Sequence, residues 1–440
     1  MRVAVLGLGY VGTVTAATLA SHGHEVCGVD IDASKVAMLT VGRSPIVERG
    51  LDDLVSEAVA NGSLRATTDV GEALTGAELS LVCVGTPSLP QGGTDLRSIV
   101  RVVTTIAESL REGPGLASRF HSLVIRSTVP PGTLQQLIAP LLAEQTVGLP
   151  LAIGAGVCPE FLREGSAIDD FYDAPFTVVG TDDSRVGDTM TRLFHFLESP
   201  VRVVSPPVAE GLKYACNAFH ATKVSFVNEL GRLFRQLGVD SREVLELFRE
   251  DTKLNISTQY LQPGFAFGGS CLPKDLRALL YLGRINSLDM PLLAGTLATN
   301  ALSVGEVVNR VLVSNVHEVA LLGLSFKMNS DDLRESPYVD LAETLIGKGF
   351  GLRIYDPIVD PATLIGTNRQ YVDAKLPHLR RVLTSDPADA LRNADLALVS
   401  SSHPSVIAAL IDDAPDQIID MNGHLGAQVE ALPGYEGVAW

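Results

Sequence analysis

A chain of 440 residues is long enough for two or three domains, and 46% hydrophobic residues with 40 glycines suit an α/β enzyme rich in tight turns. The formal charge of −17 comes without a block of like charges, which argues against nucleic acid or an anionic membrane surface as partner. Five cysteines (Cys27, Cys83, Cys158, Cys216 and Cys271) show no C-x-x-C spacing, so reduced thiols are expected, with no disulfide framework and no metal site.

Residues 1–205 read as a first domain. The apolar run Arg2-Val3-Ala4-Val5-Leu6 enters Gly7-Leu8-Gly9-Tyr10-Val11-Gly12, an apolar helical stretch follows from Val14 to Ala20, and Glu25 to Val29 forms a second strand that ends at Asp30. Strand, glycine turn, helix, strand and acidic residue make the dinucleotide fingerprint in the context it needs. Gly7 allows the turn, Gly9 admits a pyrophosphate and Gly12 lets the helix pack on the sheet. Asp30 is expected to accept hydrogen bonds from the adenosine ribose hydroxyls and to repel a 2′-phosphate, which favours NAD over NADP. Because residues 1–12 are strand plus turn, no signal peptide fits there. No apolar run approaches the ~18 residues of a membrane span, so a soluble, cytoplasmic protein is expected.

Further strand-like runs lie at 79–84, 122–126 and 176–179 with helical stretches between them, the doubly wound pattern, whose ligands bind beyond the carboxyl ends of the strands. Thr86 and Thr128 sit at two such ends; each hydroxyl either faces a ligand or only caps a turn. Pro159 to Gly165 follows another short strand and places Glu160 and Glu164 near the same edge, where surface carboxylates at a helix start are the alternative.

Residues 206–313 read as a helical middle. Pro206-Pro207 opens a helical pattern that runs to about Leu237 and stops at Gly238. On it Lys213, Asn217 and His220 share one face, a polar stripe that either meets a ligand or forms a salt-bridged surface. Asp240 with Glu243 resembles an N-cap pairing for a helix over 241–249. The segment 251–264 lacks periodicity and leads into Gly268-Gly269-Ser270-Cys271-Leu272-Pro273-Lys274-Asp275, after which helical pattern resumes over 275–285 and again near 292–314. A glycine pair exposes backbone beside Cys271, and a cation and a carboxylate follow within four residues. This is an electropositive setting in which a thiolate can act as nucleophile; a cysteine in a tight turn is the plain alternative.

Residues 314–440 return to strand-like runs at 318–324, 352–356, 396–399 and 417–420, spaced as in an α/β fold but without a dinucleotide fingerprint. Lys327 and Arg334 follow its first strand; they either contact a phosphate or are solvated surface cations. Two nucleotide-type domains around a helical hinge suggest two different nucleotides, one of them a dinucleotide.

Taken together, Gly7 to Gly12, Ser44-Pro45-Ile46-Val47-Glu48, Lys213 to Lys223, Phe265 to Asp275 and Asp331-Asp332-Leu333-Arg334-Glu335-Ser336-Pro337 resemble the UDP-glucose/GDP-mannose dehydrogenase family over essentially the whole chain. The likeness is stronger to the branch acting on GDP-mannose, with UDP-glucose or another UDP-sugar as the alternative substrate. The resemblance implies two successive NAD-dependent oxidations at sugar C6, alcohol to aldehyde to carboxylate. An aldehyde has no hydroxyl proton to give up beside its hydride, so Cys271 would first add to it as a thiohemiacetal, which becomes a thioester that water cleaves. Lys213 and Asn217 would steady the alkoxide and oxyanions, Glu160 would accept a proton, and Asp275 and Thr128 would hold the water. Family positions for the cofactor match Gly7, Gly9, Tyr10, Val11, Gly12, Asp30, Lys35, Thr86, Thr128, Lys274 and Arg334. Those for the sugar nucleotide match Glu164, Lys213, Asn217, His220, Asn228, Asn255, Tyr260, Phe265 and Lys327. A homodimer or dimer-based oligomer is implied as well.

The chain departs from the GDP-mannose pattern at Gln259 and Gln262, where an aromatic and an arginine are usual, and at Cys158, where Asn usually precedes Pro159. Two further readings stay open on the residues alone. One is a 3-hydroxyacid-type dehydrogenase that uses Lys213 and Asn217 but no thiol; the other is an NAD-responsive binding protein.

Overall fold

Short apolar strands, several of them ending at a glycine or an aspartate, alternate with helices along the chain and build two sheets. A computed structural model describes residues 1–90, 92–111, 120–149, 151–258, 260–261, 263–269, 271–325, 332–360 and 366–440. They group into two units, Met1–Ala221 and Thr222–Trp440.

In the first unit the strands are β1 Arg2–Leu6, β2 Glu25–Val29, β3 Leu64–Thr67, β4 Leu79–Val82, β5 Phe120–Ile125, β6 Ala152–Val157, β7 Thr177–Gly180 and β8 Val201–Val204. They form one sheet in the order β3-β2-β1-β4-β5-β6-β7-β8. Along β1, Val3 and Val5 enter one apolar cluster while Ala4 and Leu6 enter another. Alternation thus buries both faces of the sheet, as a parallel sheet covered by crossover helices requires. The pattern is not parallel throughout: β6 meets β7 antiparallel through Val157 and Gly180, and β8 pairs parallel with β7 beyond it. The order reverses between β1 and β4, so the crevice for a ligand opens at their carboxyl ends.

The second unit begins within the helix Pro206–Gln236 and continues through the helices Ser241–Glu250, Leu272–Ile285 and Pro291–Val313. A small core of Leu230, Leu233, Met290 and Leu293 joins them. Asp240 does cap Ser241–Glu250, accepting from the Arg242 N–H at 2.8 Å, but its side-chain partner is Arg242, not Glu243. Pro291–Val313 is long and apolar enough to cross a membrane by length and composition, which corrects the expectation that no such run exists. Its Val307, Val308 and Val311 pack into the core of the second sheet. That sheet comprises β9 Glu318–Leu322, β10 Gly351–Tyr355, β11 Leu383–Thr384, β12 Leu396–Val399, β13 Gln417–Asp420 and β14 Tyr435–Gly437, ordered β11-β10-β9-β12-β13-β14. Val319 and Leu321 face one cluster, Ala320 and Leu322 the other. The short strands β3, β8, β11 and β14 have no signal in the sequence reading; the last two span two and three residues.

Candidate active site

The glycine turn after β1 is built as its sequence requires. Gly7 holds φ +102°, and a Cβ there would lie 2.8 Å from the Cys83 carbonyl oxygen; a Cβ on Gly12 would lie 1.8 Å from the Gly7 carbonyl oxygen. At Gly9 nothing stands within 4 Å of an added Cβ, so the backbone at the start of the helix Tyr10–Ser21 is open. No side chain caps that helix, and its N–H groups are available to an anion. Beside it, Asp30 is 9% exposed at the end of β2. Its Oδ2 accepts the Leu8 N–H at 2.7 Å and Lys35 Nζ at 3.3 Å, and its Oδ1 accepts the Asp32 N–H at 2.9 Å. Each carboxylate oxygen has two lone pairs, so Oδ1 keeps room for a ribose hydroxyl. An open glycine at a helix start and an acceptor at the next strand end fit a dinucleotide.

Tyr10 and Glu48 extend this turn. The Tyr10 hydroxyl donates to the Glu48 carboxylate and, at 3.3 Å, to the Arg163 carbonyl. Glu48 also accepts the Gly165 N–H at 2.8 Å and the Ala167 N–H at 3.3 Å. Burial and then this carboxylate push the Tyr10 phenol up, while the Tyr10 hydrogen bond holds Glu48 down. The Ser44–Glu48 motif therefore ties the cofactor turn to the exposed loop of Glu164, a role that its sequence did not disclose.

At the carboxyl ends of β4 and β5, Thr86 Oγ1 donates to the Thr128 carbonyl at 3.0 Å. The two threonines meet, with the Thr86 hydroxyl spent on tying one strand-end loop to the other. The loop after Thr128 is fixed by Glu210, whose carboxylate accepts the N–H groups of Gly132 at 2.5 Å and Leu134 at 2.8 Å.

Glu160 and Lys213 come together. Lys213 Nζ lies 3.1 Å from Glu160 Oε1, with side chains 9% and 11% exposed. Glu160 Oε2 accepts the Leu162 N–H at 2.7 Å, and the Phe161 ring centroid stands 5.5 Å from the ammonium. The polar stripe of the long helix therefore divides: Lys213 is buried against a carboxylate, whereas Asn217 and His220 are exposed. Sequence spacing missed Arg126, buried at the end of β5. It donates to Thr15 Oγ1 at 3.1 Å and to Cys158 Sγ at 3.3 Å, between the rings of Phe171 and Phe194. Burial pushes the Cys158 thiol up, so the cysteine that replaces the usual Asn is a core group.

In the second unit, Cys271 is exposed and stands as the N-cap of Leu272–Ile285. The helix starts three residues earlier than its periodicity indicates, because Pro273 is tolerated in the first turn. The sulfur therefore sits by the positive end of a 14-residue helix. Lys274 and Arg334 are the cations within electrostatic reach of the sulfur, so a thiolate there would raise both, as the least of their causes. Lys274 Nζ pairs with Asp275 Oδ1 at 2.6 Å, a hydrogen bond that is the main cause of its raised pKa. Arg334 chelates Asp332 at 2.8 and 2.6 Å. Phe265 stacks on Tyr338, ring centroids 5.2 Å apart, and its N–H donates to the Met421 carbonyl at 2.9 Å. Asn228 and Asn255 are exposed, Asn255 Nδ2 donating to the Phe248 carbonyl at 3.2 Å. Tyr260 is 83% exposed at φ +61°. Lys327, Gln259 and Gln262 lie outside the described residues.

A cavity of about 340 Å³ opens at the carboxyl ends of the second sheet, lined by Gly323, Ser325, Asp356, Ser400, His403 and Asn422 among others. No group of His, Cys, Asp or Glu among the described residues is arranged to hold a metal ion.

Sequence profiles of one family match the chain three times: the UDP-glucose/GDP-mannose dehydrogenase NAD binding domain over residues 1–198, the central domain over 207–302 and the UDP binding domain over 320–424. The GDP-mannose 6-dehydrogenase of Pseudomonas putida is 43% identical over 445 residues, and that of Pseudomonas aeruginosa 41% over 444, each alignment covering 100% of both chains. A UDP-glucose 6-dehydrogenase of Bacillus subtilis is 37% identical over 81% of this chain and 80% of its own. Among solved structures, a ternary complex of GDP-mannose dehydrogenase from Pseudomonas aeruginosa superposes with a TM-score of 0.93 at 40% identity, covering 100% of both chains. A UDP-glucose dehydrogenase from Pyrobaculum islandicum gives 0.55 at 32% identity, over 100% of this chain and 97% of that one. With its open glycine turn, its buried Lys213–Glu160 pair and its exposed helix-capping cysteine, the chain belongs to the UDP-glucose/GDP-mannose dehydrogenase family, and NAD is its cofactor.

Proposed function

We propose that this enzyme oxidises GDP-mannose at C6 to GDP-mannuronate, through the aldehyde. The observation that carries the reading is Cys271, exposed at a helix N-terminus with Lys274 and Arg334 within electrostatic reach, in a chain 41–43% identical over its full length to GDP-mannose 6-dehydrogenases. NAD, held by Gly9, Tyr10, Val11 and Asp30, supplies the hydride acceptor for each oxidation. The chain does the rest. Glu160 takes the hydroxyl proton, and Lys213, 3.1 Å from it, holds the alkoxide and later oxyanions. Cys271 Sγ adds to the aldehyde carbon and retains it as a thiohemiacetal, then as the thioester that water cleaves. Asp275 and Thr128 position that water, with Asn217 beside Lys213 as a second oxyanion donor. Lys35, Thr86, Lys274 and Arg334 serve the cofactor, while Glu164, His220, Asn228, Asn255, Tyr260, Phe265 and Lys327 serve the sugar nucleotide.

In this reading residues 1–205 bind NAD, 206–313 carry the cysteine loop and the dimer contact, and 314–440 bind the substrate nucleotide; the enzyme is a cytoplasmic homodimer or an oligomer of dimers. A UDP-sugar is the second reading, supported by Gln259 and Gln262 and by the 37% identity to a UDP-glucose 6-dehydrogenase. Counting NADH formed per sugar consumed tests the reaction: two is expected, and one refutes it. Comparing kcat/KM across GDP- and UDP-sugars tests the substrate, and preference for uridine overturns that part alone.

A further inference from the structure

We propose that Asn300 is a positioning residue for Cys271, setting where the sulfur is presented by locking the loop that leads to it. The inference rests on the reading of Cys271 as nucleophile. Asn300 projects from the helix Pro291–Val313, and its side-chain amide meets both backbone groups of Phe267. Oδ1 accepts the Phe267 N–H at 2.8 Å, and Nδ2 donates to the Phe267 carbonyl at 2.9 Å. One planar amide thereby does for this residue what a neighbouring strand would do, with a donor and an acceptor at fixed separation. Asp supplies no such donor when ionised, Leu supplies neither group, and Gln sets the amide one methylene further out.

The next residues are held by a second segment. A Cβ on Gly268 would stand 2.5 Å from both the Glu335 carbonyl oxygen and Pro337 Cδ, so the loop lies flush against that segment. The Gly269 N–H donates to the same carbonyl at 3.2 Å. Glu335 holds φ +53°, an uncommon conformation for a residue with a side chain. Its carboxylate is gripped by Arg277 at 2.9 and 2.5 Å, and Arg277 belongs to the helix that Cys271 caps. Phe267 and Gly269 are thus pinned on one side of the nucleophile and its helix on the other. Release of the Asn300 hold frees the loop end, and a misplacement of about 1 Å can cost roughly 10²-fold in rate. Asn300 acts here on the Phe267 backbone, so it serves the reaction through position.

Single-turnover formation of NADH from GDP-mannose, by the full-length enzyme with NAD, separates the two oxidations, of which only the second needs the thiol. In Asn300→Leu the first equivalent of NADH is expected at near the parent rate and the second about 10²-fold slower, with KM for NAD within twofold. Asn300→Asp, which keeps the acceptor for the Phe267 N–H, is expected to recover part of the second phase. It also provides the test if the leucine variant does not fold. A merely structural role slows both phases together, and that result, or two unaltered phases, overturns the proposal. Cys271→Ala run alongside separates the failures. If it still forms two NADH, the nucleophile reading is wrong; if it stops at one while both Asn300 variants match the parent, only the role of Asn300 is wrong.

Discussion

Replacing Lys213 by Met strips Glu160 of its cation while preserving most of the packing volume. Both side chains are about nine-tenths buried, 9% and 11% exposed, so solvent does little to screen the loss. Removing one partner of such a pair costs about 3–5 kcal/mol, because the other charge stays buried and uncompensated. The Leu162 N–H at 2.7 Å remains on Glu160 and offsets on the order of 1 kcal/mol, leaving about 3 kcal/mol of destabilisation in the first unit. At 1.36 kcal/mol per tenfold, hydrogen exchange at the protected amides of β5 and β6 should quicken about 10²-fold, read by mass spectrometry on the intact enzyme. Turnover should fall by roughly 10²–10³, as for loss of one oxyanion donor. The double variant with Glu160→Met removes both charges, and apolar replacement of a buried pair is commonly neutral or better, so exchange should return towards the parent while turnover stays low. Exchange in the single variant within twofold of the parent would refute the burial argument. Recovered turnover in the double variant would reduce Lys213 to a structural role.

Asp30→Asn keeps an acceptor for the Leu8 N–H and removes the charge that opposes a 2′-phosphate. The ratio of kcat/KM with NADP to that with NAD should rise at least tenfold, and an unchanged ratio would deny Asp30 its part in cofactor choice. His121 is buried in β5 between Ser80 Oγ at 2.9 Å and the Ala77 carbonyl at 3.2 Å, and burial lowers its pKa from 6.5 to about 4. The unfolded chain therefore takes up a proton that the folded one refuses. Stability from this group is complete above pH 6.5, is lost by roughly 3 kcal/mol as pH falls to about 4, and levels off below. Urea midpoints across that range should fall less steeply in His121→Asn; equal slopes would refute the assignment.

The parts of the molecule legible in its sequence are those in which one local rule decides the outcome. Gly7 and Gly12 are demanded by close backbone contacts, Gly9 leaves the helix start open, and Asp30 closes the next strand, so spacing alone identifies them. The long helix and the strands inside the edges of both sheets follow from apolar runs and periodicity. Pairings between distant segments left no such trace. Glu48 meets Tyr10 across 38 residues and Gly165 across 117, and Asn300 meets Phe267 across 33. Each is a polar residue whose partner is chosen by the fold. Strands such as β11 are too short for an alternation to show, since sheet pairing rather than composition defines them.

The six strands of the second sheet repeat the order of the first six of the first sheet, and the first turns share a construction, which sharpens the question of why one turn takes a dinucleotide. Gly323 repeats Gly7 with φ +107°, and its N–H donates to the Tyr355 carbonyl at 2.7 Å, as that of Gly7 does to Val29. Asp356 repeats Asp30, accepting the Leu324 N–H at 2.8 Å. The difference lies in what else each carboxylate holds. Asp356 also accepts the Ser325 N–H at 3.0 Å on Oδ2, and the N–H groups of Ile358 at 2.9 Å and Val359 at 3.1 Å on Oδ1. With two lone pairs per oxygen, both atoms are filled, and the Ser325 hydroxyl crowds Oδ2 further at 3.3 Å, whereas among the described residues Asp30 Oδ1 carries the Asp32 N–H alone. The second turn thus keeps its aspartate to brace two loops and has no capacity left for a ribose hydroxyl in the manner of Asp30. A nucleotide at the second sheet has to be held by other groups, and the serines, His403 and Asn422 around the cavity at its strand ends are the polar groups that stand there.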